Sequence, residues 1–266
     1  MDIKELQIEN YIKQNHPWEF ARCKLVKDLL RKYIEPHKDQ TFLDIGSGDI
    51  FFLTEFSKNY SNKKLIAVDT AYNNDLITYL TKKHKDQEVI FFKSIDEIKE
   101  IHSHVSLIFL LDVIEHIEND IDFLKQLSTQ TYVQADTFFL ITAPAYQTLF
   151  CNHDKWLGHY RRYSQKQLKE HIQQAGLSYI TGGYFFTSLL LPRFLQKIFQ
   201  NRKKEESISG IGDWKGGKLI SSIYEFILLS DYYFSKFLRL FALKMPGLST
   251  YAICKKSDNN SCEINS

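Results

Sequence analysis

Gly46 and Gly48, in the stretch FLDIGSGDIFFL, lack side chains where an apolar run gives way to a helical pattern. Backbone can approach a ligand closely there, and a following helix offers unpaired N–H groups at the positive end of its dipole. Asp69 ends a second apolar run, LIAVDT, about twenty residues further on. A carboxylate at that place can accept hydrogen bonds from the two hydroxyls of a ribose. Glycines and acid together suit an adenosine-containing ligand; the alternative is a tight turn and an Asp that caps the next helix. A dinucleotide site asks for a third glycine, G-x-G-x-x-G, and Phe51 stands at that position.

Two further stretches carry groups that move protons or hold anions. LLDVIEHIEND places Asp112, Glu115 and His116 at a strand end and first helical turn. His116 can take a proton from a hydroxyl or amine near neutral pH, unless Asp112 is only an N-cap and His116 a packed helix residue. EHIEND is not His-Glu-x-x-His and no second His stands at zinc spacing, so no metal is expected. HDKWLGHYRRYS, residues 153–164, gathers His153, Asp154, His159, Tyr160, Arg161, Arg162 and Tyr163. Its guanidinium and imidazole donors suit a phosphate or carboxylate. Alternatively His153 and Asp154 form a base with its orienting partner, or the loop merely ties the N-terminal helix to the sheet.

The elements that must position these groups alternate along the chain. Residues 17–33 have helical apolar spacing and form an amphipathic helix. TFLDIG, KLIAVDT, EVIFFKS, VSLIFLL and TFFLITAPA read as buried strands, with helices in DIFFLTEFSKNY, DLITYLTKKHK, IDEIKEI and ENDIDFLKQLSTQ. The fourth strand turns helical near Asp112, and Pro144 stops the fifth. QKQLKEHIQQAG is a helix closed by Gly176, and LSYITGGYFF and STYAICKK are the last two strands. Near-continuous apolar strands alternating with helices predict a doubly wound α/β sheet, with ligands at the carboxyl ends of its strands.

Together, FLDIGSGDIFFL, LIAVDTA and IFLLDVIEHI resemble motif I, the acidic loop and motif IV of class I S-adenosylmethionine-dependent methyltransferases. The resemblance covers roughly residues 15–190 and the closing strand. It implies a Rossmann-like, seven-stranded, mostly parallel sheet with the last strand antiparallel. It also implies that Asp44 and the Gly46, Ser47 and Gly48 backbone surround the methionine part of the cofactor, and that Asp69 binds its ribose. Ser94 and Ile95 then cover the adenine, and Thr70, Leu111 and Asp112 complete the set. Many members carry an Asp in the adenine loop; this chain has Lys93-Ser94-Ile95, which leaves Ser94 or a backbone carbonyl for the adenine amine. LLDVIEH is similar to the signature of ubiquinone-type and related small-molecule methyltransferases. HPWEFAR, residues 16–22, and the 153–164 loop resemble one subfamily of these. They place His16, Trp18, Arg22, Tyr160, Arg161 and Arg162 at the acceptor, with His116, His153 and His159 as catalytic candidates.

Residues 1–186 are thus expected to form the cofactor-binding core, 247–256 its final strand, and 257–266 a disordered tail. Residues 187–246 read as a helical insertion, either a lid or an interfacial element. Its segment 188–204, leucines and phenylalanines followed by basic residues, suits anionic lipid as well as a cap on its own domain.

Composition narrows the remaining choices. With 44% hydrophobic and 25% charged residues the chain is globular, and a net charge of +2 provides no broad field for nucleic acid. The Asn/Asp-Pro-Pro-Tyr/Phe motif of base-modifying methyltransferases is absent after strand four. The N-terminus carries no signal-like apolar stretch, the four cysteines are widely spaced, and no run spans a bilayer. These features predict a cytoplasmic protein, at most peripheral to the inner face of a membrane. The expected function is S-adenosylmethionine-dependent methylation of oxygen, nitrogen or carbon on a small-molecule, lipid or glycan-pathway acceptor. Alternatives are a non-catalytic cofactor-binding protein of the same fold or a nicotinamide-dependent oxidoreductase, against which Phe51 counts.

Overall fold

A computed structural model describes residues 16–100, 104–200 and 216–257. Seven strands form one sheet: β1 (Gln40–Ile45), β2 (Lys63–Val68), β3 (Val89–Phe92), β4 (Leu107–Leu111), β5 (Phe138–Pro144), β6 (Leu177–Phe185) and β7 (Ser249–Lys256). Their order is β3-β2-β1-β4-β5-β7-β6, and only β7 runs antiparallel to its neighbours. Strand order reverses between β1 and β4, whose register pairs Ile45 with Leu110. The loops after Ile45 and Leu111 therefore emerge side by side at the switch point, where an open α/β sheet leaves a crevice.

Helices α1 (Pro17–Leu30), α2 (Phe51–Ser57), α3 (Asn74–Lys83), α4 (Asp120–Ser128), α5 (Asn152–Leu157), α6 (Gln165–Gln174), α7 (Leu190–Gln200) and α8 (Lys218–Arg239) surround the sheet. Alternate residues of each strand feed two cores. Phe42 and Phe109 pack with Leu25 of α1, Phe56 of α2, Leu80 of α3 and Leu228 of α8. Leu43 and Ile108 pack with Leu124 of α4 and Leu168 of α6 on the other face. Each such fully buried side chain contributes about 1.5–3 kcal/mol of transfer free energy.

Local chemistry sets the helix ends. His16 caps α1: its Nδ1 accepts from the Trp18 N–H at 3.0 Å while Glu19 accepts from the His16 N–H at 3.2 Å. Helix α1 ends at Leu30, short of the expected residue 33. Gly176, with φ +77°, follows α6 as its left-handed terminator. Phe51, at the position a third glycine would occupy, packs its ring on Phe20 of α1 at 4.9 Å.

The fourth strand does not turn helical at Asp112. Asp112 adopts φ +58° and closes the strand; a short 3₁₀ turn, Ile114–His116, follows, and α4 starts only at Asp120. Asp112 is therefore not an α-helix N-cap. The linker 201–215 and, beyond residue 257, the tail lie outside the described residues.

Candidate functional site

A cavity of about 1420 Å³ opens over the carboxyl ends of β1, β2 and β4. One end is lined by Gly46, Asp69, Thr70, Ser94, Ile95 and Leu111. Gly46 has φ +72°, and a Cβ there would lie 2.6 Å from Val113 Cγ2. The absent side chain thus serves both backbone conformation and close approach. Asp69 Oδ2 accepts from the Gly48 N–H at 3.0 Å and Oδ1 from the Ala71 N–H at 3.0 Å, so the carboxylate is held at the strand end with lone pairs to spare.

Other residues expected around the cofactor stand behind this wall rather than in it. The buried Ser47 hydroxyl bonds the Val68 carbonyl and the Tyr72 hydroxyl, and Tyr72 donates to the Gly48 carbonyl. Ser47 thereby pegs the loop from below, and Gly48 turns with it at φ +54°. Asp44 is buried in β1, where burial pushes its carboxyl up to about 7.

The middle of the cavity is formed by α1 and the end of β4. Arg22, 3% exposed, donates through Nη1 to Asp112 Oδ2 at 2.7 Å, and its guanidinium lies 4.1 Å from the Trp18 ring centroid. Asp112 Oδ1 accepts from the Thr142 hydroxyl at 3.2 Å. A buried cation paired in this way fastens α1 across the crevice, and Trp18, Arg22 and Asp112 all face the cavity. His16 lines the rim and meets Tyr224 of α8 edge-on at 5.6 Å.

The far end holds the proton-active groups. Asp154, 0% exposed, accepts from His159 Nδ1 at 3.0 Å, Arg162 Nε at 2.8 Å, Arg193 Nη2 at 3.3 Å and the Cys151 N–H at 2.9 Å. Burial alone would raise its carboxyl, but the His159 hydrogen bond and the Arg162 charge outweigh it and hold Asp154 well below the usual carboxylate range. The partner of Asp154 is thus His159, not its neighbour His153. His153 stacks on Trp156 at 5.9 Å, and burial followed by the Arg193 charge lowers it to about 4. His116 meets His159 edge-on, with centroids 4.5 Å apart. Glu115 is 1% exposed with no hydrogen-bond partner for either carboxylate oxygen; burial and then the Asp112 charge push it well above its ordinary value. Glu115, His116 and His159 each bring one potential ligand atom within 4.8 Å of the others.

Three residues of the 153–164 loop are not brought to the cavity. Arg161 donates to Asp120 Oδ1 and the Glu118 carbonyl, both at 2.6 Å. Tyr163 is fully buried and donates to Asp120 Oδ2 at 2.7 Å, and His171 Nδ1 meets the same oxygen at 2.6 Å. The buried Asp120 carboxylate takes up Arg161, Tyr163 and His171, because an unpaired charge there would be costly, and none of the three lines the cavity. Tyr160 is 51% exposed and points to solvent. Sequence reading did not single out Arg193 of α7 or Tyr224 of α8, both in the cavity wall, since nothing local marks an insertion residue as facing a site.

A family model described as a methyltransferase domain matches residues 18–181. No curated protein sequence matches the chain. Among solved structures, the chain is similar to coclaurine N-methyltransferase bound to N-methylheliamine and SAH, at 15% identity, covering 90% of this chain and 70% of that one, TM-score 0.54. It is similar to the [4+2]-cyclase SpnF at 12% identity, covering 92% and 86%, TM-score 0.53. It is also similar to phosphoethanolamine N-methyltransferase 2 of Haemonchus contortus in complex with S-adenosyl-L-methionine, at 16% identity, covering 88% of this chain and 52% of that one, TM-score 0.51. The family match spans more than half of the chain, and the strand order and single antiparallel strand agree with it. The chain belongs to the methyltransferase-domain family and has the class I S-adenosylmethionine-dependent methyltransferase fold.

Proposed function

We propose that this chain transfers the methyl group of S-adenosylmethionine to an oxygen, nitrogen or carbon of a small-molecule or lipid-linked acceptor. The observation that carries the reading is a single cavity with the Gly46 loop and Asp69 at one end and the Asp154–His159 pair at the other. The residues fit the cofactor: Gly46 leaves room for close approach, Asp69 keeps acceptor lone pairs for ribose hydroxyls, and Ser94 and Ile95 form the adenine wall. Bound S-adenosylmethionine supplies a methyl group already activated on a sulfonium sulfur.

The chain's own residues then align the acceptor, exclude water and accept its proton. Asp154 stays ionised and can only accept, so the His159 proton sits on Nδ1 and Nε2 is left as the proton acceptor. His116 and Arg162 border the same end, and Arg22 with Trp18 flanks the acceptor's path. Because a [4+2]-cyclase shares the fold, turnover is tested directly rather than assumed. Incubation of cell extract with methyl-labelled S-adenosylmethionine should deposit label in one small-molecule or lipid fraction. Cofactor binding without any labelled product favours the non-catalytic reading.

Asp69→Ala should lower affinity for S-adenosylmethionine by about 1–3 kcal/mol, the scale of lost hydrogen bonds to a charged group, with the fold retained. Calorimetry showing unchanged affinity would reduce Asp69 to a loop tie through the Gly48 and Ala71 N–H groups.

Helices α7 and α8 are read as a lid that also meets a membrane surface. Pro192, Arg193 and Gln196 of α7 and Tyr224 of α8 close the cavity, while Leu191, Phe194, Ile223, Phe226, Ile227 and Phe237 of the same helices are exposed. No helix among the described residues is long and apolar enough to cross a membrane, so the contact is peripheral. Cosedimentation with anionic phosphatidylglycerol vesicles should be lost in Phe226→Asp/Ile227→Asp. Equal pelleting of the double variant, or none by the parent chain, would leave α7 and α8 as a lid alone.

A further inference from the structure

We propose that Glu115, His116 and His159 bind a first-row divalent cation at the acceptor end of the cavity. The local sequence spacing predicts no metal, yet the fold brings His159 from the loop after β5 onto the 3₁₀ turn that carries Glu115 and His116. One carboxylate and two imidazoles then place donor atoms within 4.8 Å of one another. Donors about 2.0–2.2 Å from one ion stand about 3–3.5 Å apart, so closing the set on a cation requires the donor atoms to draw together by up to about 1.5 Å.

Glu115 supplies an independent reason. It is 1% exposed, it lines the cavity, and neither carboxylate oxygen has a hydrogen-bond partner. A carboxyl buried in this way stays neutral with both oxygens unsatisfied, and it ionises there only when a positive charge joins it. Arg162, whose charge partly offsets the burial of Glu115, makes no hydrogen bond to it and is committed through Nε to Asp154 and through Nη1 to the Ala145 carbonyl. Arg22 is committed to Asp112, whose carboxylate adds further negative charge at the strand end. A cation at the Glu115 oxygens supplies the direct partner that no protein side chain gives them.

His159 is prepared for the same role. A carboxylate on one ring nitrogen fixes the orientation and proton position of a metal-binding imidazole and leaves the other nitrogen to coordinate, so His159 Nε2 serves as a proton acceptor only while the cation is absent. Asp154 provides that carboxylate at 3.0 Å from Nδ1. Mixed imidazole and carboxylate donors suit Zn²⁺, Mn²⁺, Fe²⁺ or Co²⁺ rather than Mg²⁺ or Ca²⁺, which prefer oxygen throughout. Three protein ligands leave coordination positions open toward the cavity, where a hydroxyl or other oxygen donor of the acceptor can enter. Holding the acceptor rests on the methyl-transfer reading; binding the cation does not.

The full-length, untagged protein, stripped with chelator, should take up one equivalent of Co²⁺, followed by visible absorption, and one of Zn²⁺, followed by calorimetry. Glu115→Gln and His159→Gln should each weaken Zn²⁺ binding more than about 100-fold, beyond the cost of losing an outer-shell partner, while retaining S-adenosylmethionine binding as a sign of intact fold. His116→Gln serves the same purpose if either variant fails to fold. No saturable uptake by the parent chain, or uptake by the variants equal to the parent's, would overturn the site. Cation uptake without S-adenosylmethionine binding would instead overturn the methyl-transfer reading and leave the site standing.

Discussion

Asp154→Ala should destabilise the protein by about 3–5 kcal/mol, a large part of the 5–15 kcal/mol that typically holds a domain folded. The reason lies in what is left behind. Arg162, 4% exposed, keeps only the Ala145 carbonyl for its guanidinium, Arg193 keeps only Gln196, and the His159 Nδ1–H loses its acceptor. The loss therefore spans α5, the loop after β5 and α7 together. Urea unfolding measures it, and Asp154→Ala/Arg162→Leu should be less destabilised than the two single losses combined, because the stranded charge is gone. A cost below about 1 kcal/mol would show that water replaces Asp154 without penalty. The pH dependence has a definite sign. Asp154 titrates lower in the folded state than in the unfolded chain, so its contribution is complete above the ordinary carboxylate range and is lost as pH falls through its depressed folded value. Parent and variant should thus converge only in strong acid. Asp154→Asn, which keeps the shape, should still reduce turnover at least about tenfold by releasing the His159 tautomer.

Gly46→Val should abolish measurable S-adenosylmethionine binding. At φ +72° a side chain costs about 1–2 kcal/mol, and crowding against Val113 adds about 1–3 kcal/mol. That lowers stability by a few kcal/mol, while the new methyl groups occupy the space in which the cofactor's methionine end is placed. Affinity should fall more than about 100-fold by calorimetry on protein whose circular dichroism shows it folded. Gly46→Ala, with one methyl, should fall between parent and Val. Parent-like affinity in the Val variant would place the cofactor elsewhere.

The fold was legible because each strand is a nearly unbroken apolar run and each glycine or polar turn marks its end. Every strand of the sheet was foreseen within a few residues, and β7 matches STYAICKK. Asp112 shows where that reading stops. Its left-handed backbone is imposed by the Thr142 and Arg22 contacts from β5 and α1, and local helical propensity in VIEHIEND carries no trace of them. The cofactor end follows from local sequence, since Gly46 and Asp69 act where their strands end. The acceptor end does not. Choosing between Arg161 and Arg162 required knowing that Arg161 pairs with Asp120 and Arg162 with Asp154, and pairing Asp154 with His159 rather than His153 required the geometry of the 153–164 loop.

Calorimetric titration of the parent chain with S-adenosylmethionine tests the central claim most directly. One saturable site per chain, undisturbed by excess NAD⁺ or NADH, is the result predicted by Gly46, Asp69 and the Ser94–Ile95 wall. No heat of binding with S-adenosylmethionine, or its displacement by a nicotinamide dinucleotide, would contradict the assignment of this cavity.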